Sequence, residues 1–133
     1  MGVSSDIEQT LYRLAWGTDL RDADLISECY TNDVHWVRRD LDGKEHVLEG
    51  LDAVLAHLNN TWSKGPRPKA HHLISNVLVR NLDGDRAEVT SYKTVVKVEG
   101  SNLSVASSGW YEDVLVNHGD TWKIAARVLN PDH

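Results

Sequence analysis

About half-way along this chain the hydrophobic pattern changes period, and that change limits the folds open to it. Before Lys64 most apolar residues recur at helical intervals; after Ala70 they follow the two-residue rhythm of strands. Ser5 followed by Glu8 has capping-box spacing, and Ile7, Leu11, Leu14 and Ala15 extend it into a helix predicted over residues 6–16. A short second helix opens at Asp22 or Ala23, carries Leu25, Ile26 and Cys29 on its apolar stripe, and ends in Tyr30-Thr31-Asn32-Asp33. Residues 34–38 and 44–48 then read as a hairpin about Leu41-Asp42-Gly43. Leu51, Val54, Leu55 and Leu58 return to helical spacing, and this third helix stops before Lys64-Gly65-Pro66.

The second half is a run of strands. Residues 70–82 turn at Asp83-Gly84-Asp85 into 86–98, and Glu99-Gly100-Ser101-Asn102 leads into 103–116. Asn117-His118-Gly119-Asp120 precedes a final strand, 121–129, with Trp122, Ile124, Ala126 and Val128 expected on one face. Helices first and a meander afterwards imply one α+β domain over 1–133, a curved antiparallel sheet packed on one side by helices. Such a bent sheet leaves a pocket beneath the helices, the natural place for a ligand.

Composition narrows the partners. With 20 acidic against 14 basic residues the net charge is −6, so the long-range field repels nucleic-acid phosphates and anionic membrane surfaces. Cys29 is the one cysteine, which excludes an intrachain disulfide, and no apolar run has the length of a membrane span. The N-terminus lacks the basic start and apolar core of a signal peptide, so a cytoplasmic protein is expected and the sequons at Asn59 and Asn102 carry no weight. The aromatic residues are five Trp, four Tyr and no Phe, so every ring carries an N–H or O–H that needs a partner when buried.

Seven histidines raise the question of a metal, and their spacing argues against one. His71 and His72 are adjacent on a strand and point to opposite faces, no helix offers two histidines four residues apart, and 19–24 lacks the glycine and terminal Glu of a calcium loop. His35, His46, His57, His118 and His133 read as surface residues. His72 differs, because it heads an apolar strand and shares a predicted face with Ile74, Asn76 and Leu78. It is either a core histidine bonded to a neighbour or a general base. A base needs an orienting carboxylate, for which Asp19, in the expected link between the first two helices, is the leading candidate; its other reading is a helix-cap or turn residue. No glycine-rich nucleotide loop is present, and no cofactor is expected.

Several segments together carry a family likeness. Residues 19–25, then 29–34, the Leu48-Glu49-Gly50-Leu51-Asp52-Ala53 stretch, His72 with Asn76, 81–87, Gly109-Trp110-Tyr111 and Trp122-Lys123-Ile124 resemble the SnoaL-like branch of the nuclear-transport-factor-2-like superfamily. This branch includes scytalone dehydratase, dehydrochlorinase, bile-acid dehydratase and polyketide cyclases. The resemblance covers nearly the whole chain and implies a cone-shaped, cystatin-like fold. It also implies an Asp–His dyad at Asp19 and His72 that takes a proton from carbon, in a dehydratase or related lyase, isomerase or cyclase. By the same likeness Tyr30, Trp36, Asn76 and Trp110 line the cavity around a small hydrophobic substrate, and Arg127 stabilises an anion. Trp16 and Trp122 are left to packing. Relatives assemble as homodimers or homotrimers through the outer face of the sheet. Two other readings stay open: a non-catalytic ligand-binding or assembly module of this fold, and a water-activating, epoxide-hydrolase-like enzyme to which Arg127 and Asp113 would contribute.

Overall fold

The computed structural model describes residues 2–132. Its elements are α1 (Val3–Leu20), α2 (Ala23–Cys29), β1 (Tyr30–Arg39), β2 (Glu45–Glu49), α3 (Leu51–Trp62), β3 (Ala70–Asp83), β4 (Arg86–Glu99), β5 (Asn102–His118) and β6 (Thr121–Pro131). All were expected from the sequence, with three differences that matter to the site.

The first is the length of α1. Gly2, not Ser5, stands at the N-cap position, and the helix runs on through Asp19 and Leu20 before Arg21 closes it in the left-handed conformation at φ 55°. Asp19 therefore lies in the last helical turn, not in the link. Ile7, Leu11 and Leu14 bury one face of α1, and Thr10 on that face donates to the Trp122 carbonyl at 2.7 Å. Gly17 lets α2 pack directly on α1: a Cβ there would lie 3.0 Å from Cγ1 of Ile26. The Asp22 side chain caps α2 by accepting from the Leu25 N–H. Arg21 donates to the carbonyls of Trp62 and Gly65, fastening the end of α1 to the end of α3.

The second difference is in the sheet. Its order is β2-β1-β6-β5-β4-β3, and the sheet is curved but not closed, with β2 and β3 at its edges. It is mixed, not wholly antiparallel, because β1 runs parallel to β6. The long excursion through α3 and the meander permits this, since a parallel pair needs an extended connection.

The third difference is a set of β-bulges, which shift side chains from one face to the other. In β3 the register slips between Ser75 and Leu78, at Asn76, whose φ is 52°. Val77 and Val79 consequently pack on the core, whereas Leu78 is exposed. In β6 the slip lies between the residues paired with Val114 and Leu115. Trp122 and Ile124 are buried as expected, but beyond the slip it is Arg127, not Ala126 or Val128, that turns inward.

The core brings Ile7, Leu11 and Leu14 of α1 and Ile26 and Cys29 of α2 onto Val34, Val89, Leu115, Trp122 and Ile124 of the sheet. Burial pushes the Cys29 thiol above its ordinary pKa, and it donates to the Leu25 carbonyl. Trp16, expected to pack, is instead 65% exposed on the outer side of α1. On the far face of the sheet Leu73, Leu78, Tyr92, Leu103 and Val105 are also exposed. No helix is long and apolar enough to cross a membrane.

Candidate functional site

Between α1, α3 and the inner face of the sheet lies a cavity of about 170 Å³. Leu11, Leu14, Leu58 and Ile74 give it apolar walls, while Tyr30, Trp36, His57, His72, Lys93, Tyr111 and Arg127 bring polar atoms to it. Every element except α2 contributes a residue to this lining. The cavity is thus a product of the whole fold.

Asp19 and His72 meet at its edge. The Asp19 Oδ1 lies 2.7 Å from Nδ1 of His72, and both carboxylate oxygens lie 3.1 Å from the His72 backbone N–H. The same carboxylate thereby fixes the position of the strand and the orientation of the ring. With Nδ1 donating to Asp19, the free lone pair is on Nε2. Asp19 stands at the electronegative end of α1, where a carboxylate is unfavourable unless a donor or cation faces it, and His72 supplies that partner. The pair is shielded but reachable: the side chains retain 14% and 29% of their exposure for Asp19 and His72.

Arg127 is set deeper. It makes a two-pronged contact with Asp113, Nε to Oδ1 at 2.8 Å and one terminal nitrogen to Oδ2 at 3.0 Å, and its guanidinium carbon sits 3.7 Å over the Tyr111 ring. Burial works against the Arg127 charge, but Asp113 and the two tyrosines outweigh it and hold the guanidinium firmly protonated. Burial also pushes the Tyr30 and Tyr111 phenols above their ordinary values, so both remain O–H donors. Trp36 faces the cavity beside His57, with ring centroids 6.4 Å apart.

Tyr30, Trp36 and Arg127 therefore lie with His72 around one cavity. Asn76 and Trp110 do not. Both line an open groove on the outer face with Leu78 and Tyr92. Asn76 is carried there by the bulge, and Trp110 lies between Gly109 and Tyr111, the strand positions that point inward. Three residues that bring polar atoms to the lining were missed, Tyr111 beside Trp110, Lys93 and His57. Lys93 continues the inward alternation of Ala87, Val89 and Ser91, and His57 follows the buried Val54 by three residues on a helix, so ordinary periodicity marks both. His35 and His46 pair with Glu49 and Asp40 on the surface, and His133 lies outside the described residues. Among the described residues, no group of three or more His, Cys, Asp or Glu side chains converges as a metal site would.

A family model for the SnoaL-like domain matches residues 4–128. The chain belongs to the SnoaL-like family. Members of this family include dehydratases, cyclases and ring-hydroxylase subunits. Three solved structures from Novosphingobium aromaticivorans place the SnoaL-like chain among known folds. An NTF2-like protein with a cystatin-like fold matches at TM-score 0.81 and 16% identity, over 96% of this chain and 80% of that one. A candidate scytalone dehydratase matches at 0.77 and 17%, over 97% and 83%. The β subunit of a candidate aromatic-ring-hydroxylating dioxygenase matches at 0.83 and 12%, over 98% and 89%. No curated protein matches the chain in sequence. At these identities the structural likeness establishes the NTF2-like, cystatin-like fold of this SnoaL-like chain and not its chemistry.

Proposed function

We propose that the chain is a cofactor-independent lyase, a dehydratase or a related eliminating enzyme, in which His72 takes a proton from carbon. The observation that carries this reading is the 2.7 Å contact between Asp19 and Nδ1 of His72 at the wall of a partly enclosed cavity. It leaves Nε2 free to accept, and the carboxylate stabilises the imidazolium that forms. The electron pair of the broken C–H bond becomes the new C=C bond as the neighbouring hydroxide or halide departs. The imidazolium then returns its proton to a departing hydroxide as water. Tyr30, kept protonated by its burial, supplies an O–H to the polarised or leaving oxygen, and Trp36 walls the apolar part of a small substrate. Arg127, already engaged by Asp113, adds a fixed positive field at the floor. The reading includes association of two or three copies through the outer face, where Tyr92, Leu103 and Val105 are exposed.

The test is His72→Gln, assayed with the wild type on a panel of β-hydroxy carbonyl compounds and halides by the absorbance of the new double bond. The variant is expected to stay folded and lose turnover by about 10²–10⁴-fold, the usual contribution of a general base. Full turnover in folded His72→Gln would remove His72 from the reaction. Ligand recovered unchanged across the panel would favour a binding or assembly module. Oxygen from labelled water in the product would favour a hydrolase built on Arg127 and Asp113.

A further inference from the structure

Lys93 is the charged group of the cavity that the proposed elimination leaves unused. Lys93 is half-buried and lines the cavity together with His72 and Arg127, yet no described residue gives it a carboxylate or a hydrogen bond. The charges that act on it are two cations, Arg127 and Arg38. The neighbouring ionic groups are already paired: Arg127 with Asp113, and Asp19 with His72. Arg38 is itself poorly satisfied, since its Nε is buried without an acceptor and the nearest carboxylate oxygen, on Asp40, is 4.0 Å away. A half-buried cation facing two others is unfavourable until an anion arrives.

The position of Lys93 shows where that anion would sit. Lys93 and Leu129 line both the cavity and the groove beside it, which also holds Arg38, Arg39, Asp40 and Ser107. Across the β3–β4 pair His72 is opposite Val95 and Ile74 is opposite Lys93. Lys93 is thus the diagonal neighbour of His72 on the inner face, at a backbone separation of about 7–8 Å. Resting on the lyase reading above, we propose that the substrate is a small organic acid whose carboxylate seats on Lys93 while its reacting carbon faces His72. One ammonium balances one carboxylate charge inside the cavity, where Arg127 is committed to Asp113 and Arg38 reaches only the adjoining groove. The apolar body of the acid lies against Trp36 and Tyr30, and the cavity volume of about 170 Å³ restricts it to a compact molecule. The protein's net charge of −6 repels anions at long range, so the capture is local, by Lys93 with Arg38 at the groove. Burial and the two arginines hold the Lys93 ammonium below the ordinary lysine pKa, and a bound carboxylate would raise it again.

Benzoate and benzamide, matched in shape and differing in charge, test the assignment by titration calorimetry on the full chain. The wild type is expected to bind benzoate roughly ten- to hundredfold more tightly than benzamide, the range for a hydrogen bond to a charged group. Lys93→Met is expected to abolish this preference while leaving benzamide affinity unchanged, and Lys93→Arg to retain it. In the wild type, benzoate should also move the ¹³Cε resonance of Lys93 and raise its titration midpoint, a readout that needs no variant to fold. Equal binding of the two probes, no binding of either, or a preference that survives in Lys93→Met would overturn the proposal. The lyase reading fails separately: turnover surviving in His72→Gln removes the base, whereas Lys93-dependent benzoate binding would stand without it.

Discussion

Two carboxylate pairs of nearly equal length, Asp113 with Arg127 and Asp19 with His72, flank the same cavity, and they behave as different devices. Asp113 and Arg127 join the adjacent strands β5 and β6; their side chains are 0% and 5% exposed, both prongs of the guanidinium are used, and Tyr111 covers its face. Asp19 and His72 join the end of a helix to an edge strand, stay partly exposed, and leave one ring nitrogen free. In the first pair the guanidinium keeps its proton and the carboxylate is sealed away from any substrate. The second leaves a ring nitrogen whose lone pair a substrate can reach. Depth and partner chemistry, not contact distance, separate a structural charge pair from one suited to proton transfer.

The comparison is broken most severely at the buried pair. Arg127→Met leaves the Asp113 carboxylate buried without its partner and is expected to lower unfolding stability by about 3–5 kcal/mol, measured by urea denaturation. Adding Asp113→Leu removes the orphaned charge and should recover most of that loss. If the single variant costs little, water reaches Asp113 and the contrast of depth is wrong.

Asp19→Asn is the matching change at the other pair, with the opposite pattern. The amide oxygen still accepts from the His72 N–H, so the denaturation midpoint should hardly move. What is lost is the charge facing the imidazolium, and an amide N–H turned toward Nδ1 would favour the wrong tautomer. Turnover is expected to fall roughly a hundredfold, about 2.7 kcal/mol of barrier, with the loss in kcat and not in KM. A fall in stability with unaltered kcat would instead make Asp19 a plain fastening of α1 to β3.

How much of this was legible in the sequence depends on how far each signal reaches along the chain. The elements were legible because amphipathic periods are local, and the family likeness placed Asp19 and His72 together although 53 positions separate them. The α1 boundary was misjudged because Arg21, which ends the helix in a left-handed turn, carries no glycine signal. The faces of Asn76, Ala126 and Val128 were misjudged for a different reason. Alternation carries phase only until a bulge resets it, and neither bulge is marked by Gly or Pro, so Asn76 was placed inside and Ala126 and Val128 were aligned with Ile124. Trp110 was drawn to the cavity by likeness to relatives, although its neighbour Tyr111 holds the inward position. Lys93 and His57 were legible from periodicity, but Lys93 was passed over and His57 was set among the surface histidines.

The Asn76 bulge also sets the smallest and most local test of the comparison, because it divides β3 into the half that carries His72 and the half that carries Val77 and Val79. At φ 52° Asn is tolerated, Gly is free of strain, and a β-branched residue is not. Asn76→Gly should therefore be neutral or slightly stabilising, while Asn76→Val should cost about 1–2 kcal/mol by denaturation. The larger consequence of Asn76→Val concerns register. If the chain escapes the left-handed conformation by flattening the bulge, every side chain on one side of it must change face, and either the two valines leave the core or His72 leaves Asp19. Burial of the valines is the stronger constraint, so the pair should give way first. Hydrogen exchange at the His72 amide, which donates to Asp19, would rise before protection is lost at Val77 and Val79. The reverse order would show that the carboxylate, and not the core, fixes the register of this strand.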